Sequence, residues 1–167
     1  MFQEQDARNS GTRGNASQFF VAGELCRRGY AAVVTLGNTP NTDILCSNLA
    51  GTHFVHIQVK TFKPGIKTCS VGQKAERDFG SNFFWVLGGI PTPSSDRPFE
   101  YYIIPSSVMA YNVAAAHKKW LADPGVRQQA RKDSLVRTVH LPPHKNYIGW
   151  DISEYLNRWD LIEVKLK

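Results

Sequence analysis

The run SNFFWVLGGI, Ser81 to Ile90, is almost continuously apolar, and no other stretch constrains the fold as strongly. It is far too short to cross a bilayer, and its bulky residues fit a strand covered on both faces. FEYYIIP, Phe99 to Pro105, reads as a second strand stopped by its proline, and GGIPTPSSDRP between them is a loop by composition. Upstream, YAAVVTL (30–36), TDILCSN (42–48) and THFVHIQVKTF (52–62) are three consecutive β-rich runs with Gly51 at the second turn. A helix over 15–28 precedes them. Its small or apolar positions Ala16, Phe19, Phe20, Gly23 and Cys26 recur at helical spacing, and Gly29 follows as a C-terminal cap. A short helix is expected near 73–78, and one from Ser106 or Ser107 to about Leu121. A last helix has Asp151 and Glu154 at capping-box spacing, with Tyr155, Leu156 and Trp159 facing inward.

A length of 167 residues suits one domain, with a core over about 15–105 and a helical elaboration over about 106–167. Neither a signal peptide nor a membrane span is legible, so a soluble, cytoplasmic protein is expected. The three cysteines Cys26, Cys46 and Cys69 lack Cys-x-x-Cys spacing, which argues against a disulfide framework or zinc knuckle. A formal net charge of +6 favours polyanions. The charge concentrates between His117 and Arg137, where Lys118, Lys119, Arg127, Arg131, Lys132 and Arg137 face only Asp123 and Asp133. A solvated helical face would carry the same pattern.

Three polar residues stand where a sheet usually buries apolar ones. In a strand Gln58 and Lys60 share one face, while Ile57, Val59 and Thr61 share the other. With the turn near Ala50 and Gly51, antiparallel pairing sets Asp43 opposite Gln58. A carboxylate, an amide oxygen and an ammonium then converge at the end of two strands. That set suits a hard divalent cation and an activated water, hence phosphodiester hydrolysis. Taken singly, each has a blander role: Asp43 as a turn acceptor, Gln58 and Lys60 as a solvated edge face.

Glu24 in VAGELCRRGY, Asp43 in NTDIL, and Gln58 and Lys60 in HIQVKT resemble, in kind and order, the PD-(D/E)XK nuclease superfamily over roughly residues 15–62. FFWVLGGI and EYYIIPSSV look like the later strands and helix of its restriction endonuclease-like relatives, uncharacterised bacterial ones included. The resemblance implies an α/β fold with an αβββαβ core, a mixed central sheet flanked by helices. It implies magnesium or manganese held by Asp43, Gln58 and Glu24, and cleavage of DNA or, less often, RNA. Members often dimerise to cut two strands, so a homodimer is allowed, although no dimer surface is legible. Thr42 replaces the motif's proline, and Gln58 replaces its second acidic ligand and removes one negative charge.

Other chemistries find little support. His53 and His56 face opposite ways in a strand, and His140 and His144 bracket LPP, which prevents the helical spacing of a zinc pair. PGIKT at 64–68 lacks the glycine and the Gly-Lys pair of a phosphate-binding loop, and no covalent-nucleophile signature is present. Two function classes follow. One is a metal-dependent endonuclease using Asp43, Gln58, Lys60 and Glu24, with Lys63, Lys67, Lys118, Lys119, Arg127, Arg131 and Lys132 on the nucleic-acid backbone. The other is a non-catalytic nuclease-like module that binds nucleic acid or a protein partner.

Overall fold

The computed structural model describes residues 10–35, 39–125 and 128–167. Helix α1 (Ser10–Arg27) ends as its sequence requires: Gly29 takes φ 91°, its N–H bonds Cys26 O and the Tyr30 N–H bonds Leu25 O. That pair of bonds is the Schellman motif, which glycine makes without strain. Strands β1 (Ala31–Val34), β2 (Ile44–Ser47) and β3 (Phe54–Phe62) follow as an antiparallel meander. β4 (Thr68–Ser70) and a 3-10 turn at Gln73–Glu76 then lead to β5 (Phe83–Gly89), which pairs parallel with β3. β6 (Glu100–Pro105) returns antiparallel to β5, and α2 (Ser106–Ala122) follows it directly. The mixed five-stranded sheet runs β1-β2-β3-β5-β6. Its parallel step is the place where the chain needs a crossover.

Two apolar layers cover this sheet. On one face Ile44, Ile57, Val59, Phe84 and Val86 pack against Val21 and Leu25 of α1, and Trp159 and Ile162 complete the layer. On the other face Phe83, Trp85 and Leu87 meet Met109 and Val113 of α2 and Ala75 of the 3-10 turn. Every residue of β5 is buried, as its apolar run requires. Burying Trp85 and Phe84 contributes about 1.5–3 kcal/mol each.

The buried face of α1 differs from the expected one. Ser17, Val21, Ala22 and Leu25 are buried, whereas Phe19 is 67% exposed and Cys26 is exposed. The cause is the closeness of α1 to β5: a Cβ on Gly88 would overlap Ser17 Oγ, well inside the 3.0 Å that real Cβ atoms respect. A phenylalanine has no room there. Phe20 instead lies against Phe99, with ring centroids 4.9 Å apart.

The C-terminal region is less helical than expected. β7 (Thr138–His140) pairs with β4 in a two-stranded sheet, and the end of the chain holds only a 3-10 turn at Ser153–Tyr155 and α3 (Asp160–Glu163). Asp151 accepts the Ser153 N–H at 2.9 Å, but Ile152 stands at the N-cap with no side-chain cap bond, so the expected capping box does not form and only a short turn results. The chain turns to the β6 edge instead, where Leu156 bridges Tyr102 and the Asn157 N–H bonds Tyr101 O. Leu156 is consequently 42% exposed, while Trp159 is buried as expected. Among the described residues no helix is long and apolar enough to cross a membrane.

Candidate active site

β2 begins at Ile44 opposite Ile57, so Asp43, one residue earlier, lies opposite Gln58 as the hairpin geometry requires. Its main chain holds both neighbours: the Asp43 N–H bonds Ile57 O, and Asp43 O accepts the Thr35 N–H, each at 2.9 Å. The side chain continues the ladder. Asp43 Oδ2 accepts the Val59 N–H at 2.7 Å, a donor that a longer β2 would have paired through its backbone. The same oxygen accepts the Gln58 side-chain amide.

Gln58 and Lys60 sit beside Trp85 and Leu87 in the β3–β5 register, so they project from the sheet face opposite α1. There α2 packs against β5 and β6. The apolar cover reaches β3 only at its end, where Phe62 is buried, and Gln58 and Lys60 before it are both only partly buried. Polar residues interrupt the strand pattern because this part of the face is open. Among the described residues Lys60 makes no hydrogen bond or ion pair.

Burial pushes the Asp43 carboxyl above its ordinary value; the Val59 N–H, the Lys60 charge, the Gln58 amide and the Lys74 charge pull it down without offsetting burial. A carboxylate held this way gains from added positive charge. Lys74 thus joins the charges around Asp43. It is exposed on the 3-10 turn, and its neighbour Ala75 packs on the same sheet face as Trp85. Sequence reasoning missed it because a lysine in the crossover carries no motif; only the parallel β3–β5 step brings it near Asp43. The turn is pinned by Arg137, which is 4% exposed and bonds Glu76 through Nε at 2.5 Å and the carbonyls of Ser134 and Val136 through Nη1. A buried ion pair adds little net stability and serves geometry better.

Glu24 is not brought to this set. It lies on α1, on the other side of the sheet, and its carboxylate accepts Arg27 Nε and Nη2 and Arg28 Nε at 2.8–2.9 Å. Arg28 continues to Glu163 at 2.9 Å. The Arg27 bond, followed by that of Arg28, outweighs desolvation and holds the Glu24 carboxyl below its ordinary value. Its charge is not among those acting on Asp43. The two residues are separated by the sheet because α1 turns Val21 and Leu25, rather than Phe20, inward.

The basic residues are dispersed. Lys63 and Lys67 are exposed in the loop after β3, and Lys118, Lys119 and Lys132 are exposed on and beyond α2. Arg131 instead lies over Trp120, 4.8 Å from the ring centroid. Arg127 lies outside the described residues. Among the described residues no group of three or more His, Cys, Asp or Glu gathers to hold a metal. Burial pushes the thiols of Cys46 and Cys69 up to about 12, so both are inert.

No protein-family model matches the chain, and no curated protein matches it. Among solved structures it is similar to a bacterial homing endonuclease, I-Ssp6803I, at 17% identity and a TM-score of 0.53, with 93% of each chain covered. At that identity the likeness concerns the fold: a mixed α/β sheet flanked by helices, as in a nuclease.

Proposed function

We propose that the chain is a metal-dependent endonuclease of the PD-(D/E)XK type that hydrolyses phosphodiester bonds in DNA. One observation carries this: Asp43, Gln58 and Lys60 stand together on the part of the sheet face that the helices leave open. The fold likeness to a homing endonuclease supports it.

The residues fit a small hard cation. Asp43 Oδ1 and Gln58 Oε1 make no hydrogen bond within the protein, and both are hard oxygen donors. Magnesium is commonly held by one or two carboxylates, with water and substrate phosphate completing its shell. When bound by Asp43 and Gln58, magnesium or manganese supplies Lewis-acid polarisation of the phosphate and acidifies the attacking water. The chain's own groups do the rest. Val59 N–H and the Gln58 amide hold the carboxylate through Oδ2 and leave Oδ1 without a hydrogen bond among the described residues. Lys60 donates to the attacking water or to the oxygens that gain charge in the transition state. Lys74 adds a further cation beside Asp43 for the substrate backbone. Lys63, Lys67, Lys118, Lys119 and Lys132 attract the polyanion through sequence-independent, salt-sensitive contacts. A double-strand cut would use a second copy of the chain as a homodimer.

The test is cleavage of plasmid, linear and branched DNA and of RNA with magnesium or manganese, by wild type against Asp43→Ala and Lys60→Ala. Both substitutions are expected to reduce cleavage by about 10²-fold or more. Cleavage that survives both sinks the assignment. The second reading, a non-catalytic module that binds nucleic acid or a protein partner, is favoured by the Gln58 amide that stands where a carboxylate would complete the site. DNA binding without cleavage, and no magnesium binding by calorimetry, would establish it.

A further inference from the structure

A cavity of about 360 Å³ opens between α2, the β4–β7 pair and the loops that precede and follow β7, and none of Asp43, Gln58 or Lys60 lines it. Val113, Ala116 and Trp120 of α2, with Tyr147, give it apolar and aromatic walls. Its volume equals roughly a dozen liquid waters, more space than a few bridging waters need.

Of the polar groups lining this cavity, His117 and Arg137 are engaged by Asp133 and Glu76, and several others are left over by the fold. Asn146 is only 9% exposed; its Oδ1 accepts the N–H of Ile148 at 3.1 Å and of Trp150 at 2.9 Å. Those two bonds fix the amide and leave its NH2 without a partner in the protein. The His140 side chain makes no hydrogen bond, and its Nδ1 is buried. Burial, then the charge of His144, holds the His140 imidazole below its ordinary value, so near neutrality it offers one donor and one acceptor. The side-chain hydroxyls of Thr68 and Thr138 are unpartnered as well. Beside the cavity rather than in its lining, Arg131 lies 4.8 Å from the centroid of the Trp120 ring, which also stacks with His117, and 5.6 Å from that of Tyr147. Among the described residues no carboxylate pairs with it, and its Nη1 is buried without a partner.

Aromatic walls, an edge of fixed donors and acceptors, and an unneutralised guanidinium together describe a flat heterocycle joined to an anion. We infer that the cavity binds a single nucleotide, its base among Trp120, Tyr147, Asn146 and His140 and its phosphate at Arg131. The nuclease reading bears on this only in naming the source, an unpaired or extruded residue of the nucleic acid being cut. The cavity is tied to the turn that carries Lys74, because Arg137 lines the cavity and bonds Glu76 of that turn. Extruding a base costs a few kcal/mol unless it is already unpaired, so the cavity would favour mismatched or single-stranded positions.

The intact chain is titrated in EDTA with 2-aminopurine deoxyribonucleoside 5′-monophosphate, read by base fluorescence, and then with the matching nucleoside. Saturable quenching is expected. Ala116→Phe, which fills the cavity, should weaken binding by about tenfold or more, and Arg131→Ala should weaken the monophosphate by about tenfold with little effect on the nucleoside. Urea midpoints accompany each variant, and should Ala116→Phe unfold, the near-isosteric Thr138→Val carries the test with a severalfold loss. Absence of saturable binding, affinity untouched by these substitutions, or inorganic phosphate competing as well as the nucleotide would overturn the inference. No metal is present and no bond is cut, so failure here leaves the Asp43 site standing, and Asp43→Ala should leave this binding unchanged.

Discussion

The docking of α1 on β5 makes a sharp energetic prediction. Ser17 is fully buried, and its Oγ has no hydrogen-bond partner. Gly88 faces it so closely that an added Cβ would overlap that oxygen, yet would lie 3.7 Å from Ser17 Cβ, an ordinary van der Waals contact. Gly88→Ala alone therefore overpacks the interface and should cost about 1–3 kcal/mol. Ser17→Ala alone removes a buried hydroxyl that pays desolvation without a bond, and should gain up to about 1 kcal/mol after the small void it leaves. In the double variant the new methyl occupies the space of the lost oxygen, and a strand glycine becomes a residue with less unfolded-state freedom. Its stability should equal or exceed that of wild type, with a coupling between the sites of about 1–3 kcal/mol. Urea unfolding followed by far-UV circular dichroism measures this through midpoints at constant m. The double variant should melt roughly 5–10 °C above Gly88→Ala. Additivity within about 0.5 kcal/mol would refute the placement of α1. Because α1 backs the sheet opposite the candidate site, cleavage per folded molecule should not change.

Three further outcomes follow from the site. Burial holds the Asp43 carboxyl above its ordinary value, so the folded chain keeps this proton more tightly than the unfolded chain; that contribution to stability is complete below the unfolded value and is lost as pH rises through the raised folded one. Asp43→Asn cannot ionise, so its melting temperature should exceed that of wild type at about pH 8 and converge with it near pH 4, while cleavage is lost. Gln58→Glu places two carboxylates together and removes the amide donor: without metal it should cost about 1 kcal/mol, and magnesium should raise its melting temperature more than that of wild type, as scanning calorimetry would record. Glu24→Gln weakens a partly exposed arginine cluster and should cost about 0.5–1 kcal/mol with cleavage within about twofold of wild type; a large loss of cleavage at unchanged midpoint would return Glu24 to the site.

The sheet was largely legible because strand patterning is local. The unbroken apolar run at Phe83–Gly89, the Gly51 turn and the pairing of Asp43 with Gln58 can each be read within some twenty residues. The facing of α1 was not, because it depends on Ser17 meeting Gly88 across a distance in sequence that periodicity does not span. Large apolar side chains suggested one stripe, and close backbone approach selected a stripe of smaller ones. The same limit hid β4–β7: three-residue strands about seventy residues apart carry no alternation to recognise. Lys74 and Arg131 belong to this class too. Each acts through a neighbour that only the crossover or the C-terminal loops bring close.

The bond from the Val59 N–H to the Asp43 carboxylate gives position 43 a duty separate from the chemistry proposed for it, the termination of a strand. Lys60 has no such structural duty, since among the described residues its ammonium makes no hydrogen bond or ion pair. Under neutral drift the two positions would therefore decay at different rates. A lineage that stopped cutting would shed the lysine early and hold an aspartate or asparagine at 43 long afterwards. An acidic or amide side chain at 43 alone would therefore report on architecture, whereas a lysine kept at 60 beside it would be the sharper sign of activity.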